Sequence, residues 1–228
     1  GQQRQEMSFG RLQAGLGYDF SQPELLRQAL THRGYGTPNN ERLEFLGDSV
    51  LNCVIADNLY RCFPLLKEGQ LHLLRVGLVR QAALAEIATG LGIGEFLLLD
   101  KNALMSGSAK SPAVLSDALE AIFGAIFLDG GFDRAHQVIS SLHAAAIARI
   151  DPGDVGKDPK TALQEILHQR RLPGPVYSLA ATRGDDHAKE FDVECVLPGL
   201  SVRTLGTGRS RRVAEQQAAQ RAMAEIKP

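Results

Sequence analysis

From residue 9 to residue 150, apolar residues recur at steps of three and four and do not alternate. The segments PELLRQALTH, ERLEFLGDSVLNCVIADNLYRCF, EGQLHLLRVGLVRQ, AALAEIATGLG, SPAVLSDALEAIFGAIFLDGG and DRAHQVISSLHAAAIARI all carry that spacing, so this stretch reads as helix after helix. Ser111 followed by Pro112 sets a capping side chain before a ring suited to the first helical turn, which predicts a helix start. Asp129, Gly130 and Gly131 predict a stop.

The pattern then changes. DPGDVGKDP is rich in Pro, Gly and Asp and reads as a connection between domains. Beyond it PKTALQEILHQRR is helical, while PVYSLAAT, AKEFDVECVL and LSVRTLGTGRS alternate as strands do, separated by turn residues. RRVAEQQAAQRAMAEI closes as an alanine-rich helix. The expected organisation is an all-α domain over 1–152, a linker over 153–157 and an α-β-β-β-α domain over 158–228.

Composition changes this picture in two places. An apolar content of 44% with 22% charged residues is that of an ordinary globular chain, and no stretch approaches the ~20 apolar residues of a membrane span. The three cysteines form no C-x-x-C pair, which suits free thiols in a reducing compartment and predicts a cytoplasmic protein. The net charge of −1 hides an asymmetry: residues 158–228 hold 11 Lys+Arg against 9 Asp+Glu. Within 195–214 stand Arg203, Arg209, Arg211 and Arg212 with no acid, a local cluster that points to a polyanion.

The segment NNERLEFLGDSVLN carries the chemistry. At 100° per residue Glu41, Glu44 and Asp48 share an arc of roughly 60°, opposite Leu43, Leu46, Val50 and Val54. A solvated face would interleave basic residues to relieve the repulsion, and here Phe45 projects beside the acids instead. In SDALEAIFGAIFLD, Asp117 and Glu120 share a face with the small residues Ala121 and Gly124, which would let another backbone come close. Packed together, the two helices would join Glu44, Asp48, Asp117 and Glu120. Four carboxylates at such range need a cation, and an all-oxygen set selects Mg²⁺ or Mn²⁺. Carboxylate-held Mg²⁺ serves phosphate chemistry. No organic cofactor is called for.

The segment ERLEFLGDSVL resembles the signature of the ribonuclease III family, and ALTHRGYG before it and LSDALEAIFGAIFLD after it resemble that family's flanking motifs. The C-terminal segments KTALQEILHQ and GRSRRVAEQQAAQRAM resemble a double-stranded RNA-binding domain. The resemblance implies an all-α endonuclease domain followed by an α+β RNA-binding domain. It implies a Mg²⁺-dependent endoribonuclease that cuts both strands of duplex RNA and processes ribosomal RNA precursors and other structured transcripts. Products would carry 5′-phosphate and 3′-hydroxyl ends with short 3′ overhangs. Glu44, Asp48, Asp117 and Glu120 would be the metal ligands, with Asp48, Glu120, Glu41 and Glu68 serving catalysis. Phe45 would insert into the partner of a homodimer. Thr161, Gln164 and Glu165 would face one minor groove, His187 the next, and Arg211 and Arg212 the phosphates between them.

Three departures stand out. Ser116 replaces the alanine that many members have before the aspartate, a small change; Glu215 stands where many such domains have a third basic residue and position 213 is valine, and these two predict a weaker phosphate grip. From the residues alone, two further readings stay open: a duplex-RNA binder without cleavage, and a metal phosphohydrolase of small nucleotides.

Overall fold

In the computed structural model, which describes residues 2–156, 158–184 and 189–226, the chain divides into two compact units, Gly1–Pro152 and Gly153–Pro228. The first is all-helical: α1 (Gln2–Leu16), α2 (Pro23–Ala29), α3 (Glu41–Cys62), α4 (Glu68–Val79), α5 (Gln81–Gly90), α6 (Lys101–Met105) and α7 (Pro112–Ala148). No helix among the described residues is long and apolar enough to cross a membrane.

Helix α7 is the spine of this unit. Ala118, Leu119, Ala121, Ile122, Phe123, Ala125 and Ile126 are all fully buried, which is the pattern of a helix covered on every side. Helices α2, α3 and α5 pack along it. The expected stop at Gly130–Gly131 is a kink: at Gly131 (φ 81°, ψ −179°) the backbone leaves helical geometry and α7 then resumes. Those angles belong to a region that glycine alone enters without strain.

Past the kink, a polar staple holds α7 to α3. His136 Nε2 lies 3.0 Å from Asp57 Oδ2, and Asn58 Nδ2 donates to Ser140 Oγ at 2.9 Å. Helix α1 is not among the helical segments named from the sequence, although the helical stretch begins at residue 9; it buries Leu12 and Leu16, one turn apart, in the same core. The segment after α2 is pinned by a parallel bridge between Thr31 and Leu98, with His32 N donating to Leu98 O at 3.0 Å.

The second unit runs α8 (Pro159–Gln169), β1 (Val176–Arg183), β2 (Glu190–Leu197), β3 (Val202–Gly208) and α9 (Arg211–Ile226). Asp158 caps α8 by accepting from Lys160 N and Thr161 N, with Pro159 in the first turn. The sheet is antiparallel in the order β1-β2-β3, with an irregularity in β1 between Leu179 and Ala181. Leu163 and Leu167 of α8, Cys195 and Leu197 of β2, and Ala218, Ala219 and Ala222 of α9 form its core. Thr204 Oγ1 donates to Ala218 O at 2.7 Å and seats α9 on β3. Cys53 and Cys62 are exposed free thiols and Cys195 is a buried one.

One buried group in the first core sets a pH limit on the fold. Burial pushes the His143 imidazole below its ordinary pKa, against the carbonyls of Ile139 and Leu78, which favour its protonated form. Nδ1 lies 2.9 Å from Ile139 O. The unfolded chain takes up a proton at His143 near pH 6.5 and the folded chain only at lower pH, so the contribution of His143 to stability falls as pH drops through about 6.5. In chemical denaturation between pH 7.5 and 5.5 the unmodified protein should lose stability relative to His143→Leu as pH drops, by at most about 1.4 kcal/mol per pH unit for one proton. Equal slopes in both proteins would show that His143 does not contribute.

Candidate functional site

The acid-bearing faces of α3 and α7 meet where both helices are reduced to backbone. A Cβ placed on Gly47 would lie 1.7 Å from Glu120 O, and one on Gly124 would lie 2.3 Å from Leu43 O. No side chain fits between the two helices there. Gly47 sits between Glu44 and Asp48 in sequence, and Gly124 lies one turn after Glu120, so the crossing presses the acids together. The small residue on α7 is legible in the sequence; its partner Gly47 was missed, although a glycine inside the acid-bearing stretch was the available signal.

One carboxylate oxygen from each of Glu44, Asp117 and Glu120 lies within 4.8 Å of the others. All three are half-buried. The fourth expected ligand, Asp48, is not in that group: it is exposed, and its Oδ1 accepts from Asn52 Nδ2 at 2.9 Å. Its charge is nonetheless felt. Glu120 is pushed up to about 8, first by burial and then by the charges of Asp48, Glu44 and Asp117. Glu44 is raised by burial, by Asp117 and by Glu41, with Arg33 pulling the other way. Asp117 is raised by burial, offset by the Ser116 hydroxyl and by His32 and Arg33. Ser116 is itself buried and donates to Ala113 O at 2.9 Å, so the hydroxyl that departs from alanine is satisfied within the helix.

These carboxyls share one fault, an excess of negative charge at partial burial, and a hard cation among three oxygen donors corrects it. The donor set therefore fits Mg²⁺ or Mn²⁺. Arg33, with His32 beside it on the pinned segment after α2, faces this cluster; both lie inside the quoted flanking motif, but the sequence reading assigned them no role. Arg33 Nη1 stands 3.8 Å from Glu41 Oε1.

The other expected residues fall outside the group of three. Glu41 is exposed at the first turn of α3. Glu68 opens α4 and lines a cleft of about 470 Å³ with Tyr60, Leu71, His72 and Arg75. Phe45 is 80% exposed and lines an opening of about 680 Å³ with Glu41, Leu46 and Leu128.

In the second unit Thr161, Gln164 and Glu165 are exposed on one side of α8, opposite buried Ala162, Leu163 and Leu167. Arg211 and Arg212 are exposed at the start of α9. His187 lies outside the described residues.

Comparison with known proteins identifies what each unit is similar to. Residues 22–146 match the family model described as ribonuclease-III-like, and residues 159–226 match the double-stranded RNA binding motif. Ribonuclease 3 of Thiobacillus denitrificans is 57% identical over 95% of this chain and 96% of its own length. Ribonuclease 3 of Aromatoleum aromaticum is 52% identical, again over 95% of this chain and 96% of its own. Among solved structures, the first unit is similar to the nuclease domain of ribonuclease III from Campylobacter jejuni. One such structure, described for flexibility in the region involved in dimer formation, has TM-score 0.58 and 42% identity over 59% of this chain and 94% of that one. Another has TM-score 0.59 and 41% identity over 62% and 97%.

The crossing makes a direct prediction. Gly47→Ala must drive the helices apart, and it should lower unfolding free energy by about 1–3 kcal/mol or more. Gly10→Ala, where an added Cβ meets nothing within 4 Å, should be neutral or slightly stabilising. Equal denaturation midpoints for the two variants would contradict the crossing.

Proposed function

The chain belongs to the ribonuclease III family, and on that premise we propose a Mg²⁺-dependent mechanism for this endoribonuclease of double-stranded RNA. The single observation that carries the proposal is the joining of Glu44, Asp117 and Glu120 at the α3–α7 crossing, in a chain that also holds a duplex-RNA-binding fold.

In this reading Glu44, Asp117 and Glu120 would hold the ion, and Asp48, bonded to Asn52 in this structure, would be the fourth ligand. A bound Mg²⁺, or Mn²⁺ in its place, would supply an activated water and neutralise charge on the phosphoryl and leaving oxygens. Asp48 and Glu120 would be the central catalytic carboxylates, and Glu120, pushed up to about 8, would pass its proton to solvent on binding the ion. Glu41 and Glu68 stand near the scissile strand, with Arg33 loosely paired to Glu41. Attack on both strands leaves 5′-phosphate and 3′-hydroxyl ends with short 3′ overhangs, in the processing of ribosomal RNA precursors and other structured transcripts.

The catalytic and dimerisation domain covers 1–152, the linker 153–157 and the RNA-binding domain 158–228. An exposed phenylalanine beside an acid face favours a homodimer in which the partner covers Phe45; a homodimer accords with the region involved in dimer formation in the Campylobacter jejuni nuclease domain. Thr161, Gln164, Glu165 and His187 read the minor grooves, and Arg211 and Arg212 grip phosphates. Three free thiols suit a cytoplasmic setting.

Glu120→Gln tests the reading by separating chemistry from binding. It keeps the shape of the side chain and removes a charge and a ligand. Cleavage of a duplex in Mg²⁺ should fall on the order of a hundredfold or more, while gel-shift affinity for the same duplex stays within about twofold, as no phosphate contact is touched. Unchanged cleavage at low Mg²⁺ would remove Glu120 from the ligand set. Binding that collapses in step with cleavage would make the acid cluster structural.

A further inference from the structure

Where α8 and α9 begin, the cations of the second unit are tied to an acid. Lys160 Nζ lies 2.5 Å from Glu215 Oε2 and 4.6 Å from the centre of the Tyr177 ring. Glu215 Oε1 accepts from Arg211 Nε at 3.0 Å. One carboxylate therefore takes a cation on each oxygen, one from each helix. The Glu215 side chain is only 13% exposed while that of Arg211 is 59% exposed, so the acid lies beneath the arginine it holds.

An acid among phosphate-binding cations could compete with RNA or prepare for it, and the atoms involved decide between the two. Arg211 is engaged through Nε alone among the described residues. Its Nη1 and Nη2, the fork that matches a phosphate, are left available. With two cations on one carboxylate the group keeps a net positive charge, so a phosphate is still attracted. Arg212 supplies the contrast: 81% exposed and 3.9 Å from Asp158, it is loosely held.

We propose that Glu215 is a positioning residue for duplex RNA, fixing Lys160 and Arg211 as a pre-set pair of cations across α8 and α9. The proposal rests on the reading of Arg211 as a phosphate contact. Holding a long side chain before binding removes the cost of ordering it at binding. The position that looks like a lost basic residue is then what orders the basic residues on either side of it.

The test is a double-mutant cycle in the full chain. Fluorescence anisotropy with a labelled blunt RNA duplex, in chelator, measures affinity for the unmodified protein, Glu215→Ala, Arg211→Ala and the pair. Glu215→Ala should weaken binding about five- to tenfold, although it removes a negative charge. Arg211→Ala should weaken the unmodified protein clearly but add about twofold or less once Glu215 is gone. Should Glu215→Ala fail to fold, as its melting curve would show, Glu215→Gln replaces it in the cycle, with coupling of the same sign and about two- to threefold in size. Tighter or unchanged binding in Glu215→Ala overturns the proposal, as does an Arg211→Ala cost that is equal in both backgrounds. If Arg211→Ala has no effect in the unmodified protein, the phosphate reading itself fails and takes this proposal with it.

Discussion

The backbone contact between Gly47 and Gly124 is the constraint on which the rest of the first unit depends. Helices with side chains between them pack 8–10 Å apart, and at that distance the acids of α3 and α7 would face each other across a gap. The missing Cβ atoms let the two main chains touch, and Glu44, Asp117 and Glu120 come within 4.8 Å as a consequence. Such crowding opposes folding in the absence of a cation. What offsets it is the burial of α7 on nearly every side, with Leu119, Ile122, Phe123 and Ile126 all removed from water. Each fully buried side chain of this size contributes about 1.5–3 kcal/mol before the entropy of ordering it is subtracted. The core is therefore the source of the energy that holds unfavourable charge at the surface, and the kink at Gly131 lets the same helix turn away and be stapled again to α3.

Much of this was legible in the sequence, because periodicity reports which side of an element is apolar. The acid stripe of α3, the apolar stripe opposite it, the small residues of α7 and the α-β-β-β-α order of the second unit all follow from spacing within single segments. What stayed hidden lies between segments. A helical wheel puts Glu44 and Asp48 on one face, but it cannot show that the Asp48 carboxylate, bonded to Asn52 one turn on, stands outside the group of three. Nor can it show that Gly47 is the partner of Gly124, or that His32 and Arg33 are held against the acids by a bridge to Leu98. Helix α1 was not picked out for another reason: its polar start masks a short apolar stripe, Phe9, Leu12 and Leu16, that acquires meaning only against the core.

The two units handle charge in opposite ways. In the first, like charges are forced together and the deficit calls for a cation from solution. In the second, opposite charges are already paired, and a half-hidden acid leaves the outer edge of its arginine available. A net charge of −1 describes neither arrangement. Chemistry and recognition are separated along the chain, so each can be altered without disturbing the core that supports the other.

The central claim, that crowded carboxylates at the α3–α7 crossing form a divalent-cation site, is tested most directly by proton release. Glu120 is pushed up to about 8 in the metal-free protein, so near pH 7 it is largely protonated, and an ion that uses its carboxylate must displace that proton. Titration calorimetry with Mn²⁺ or Mg²⁺ at pH 7, in buffers of different ionisation enthalpy, should report release approaching one proton per ion. The release should decline as pH is raised past about 8. Binding at pH 7 with no proton released, or no binding at millimolar ion, would contradict the account.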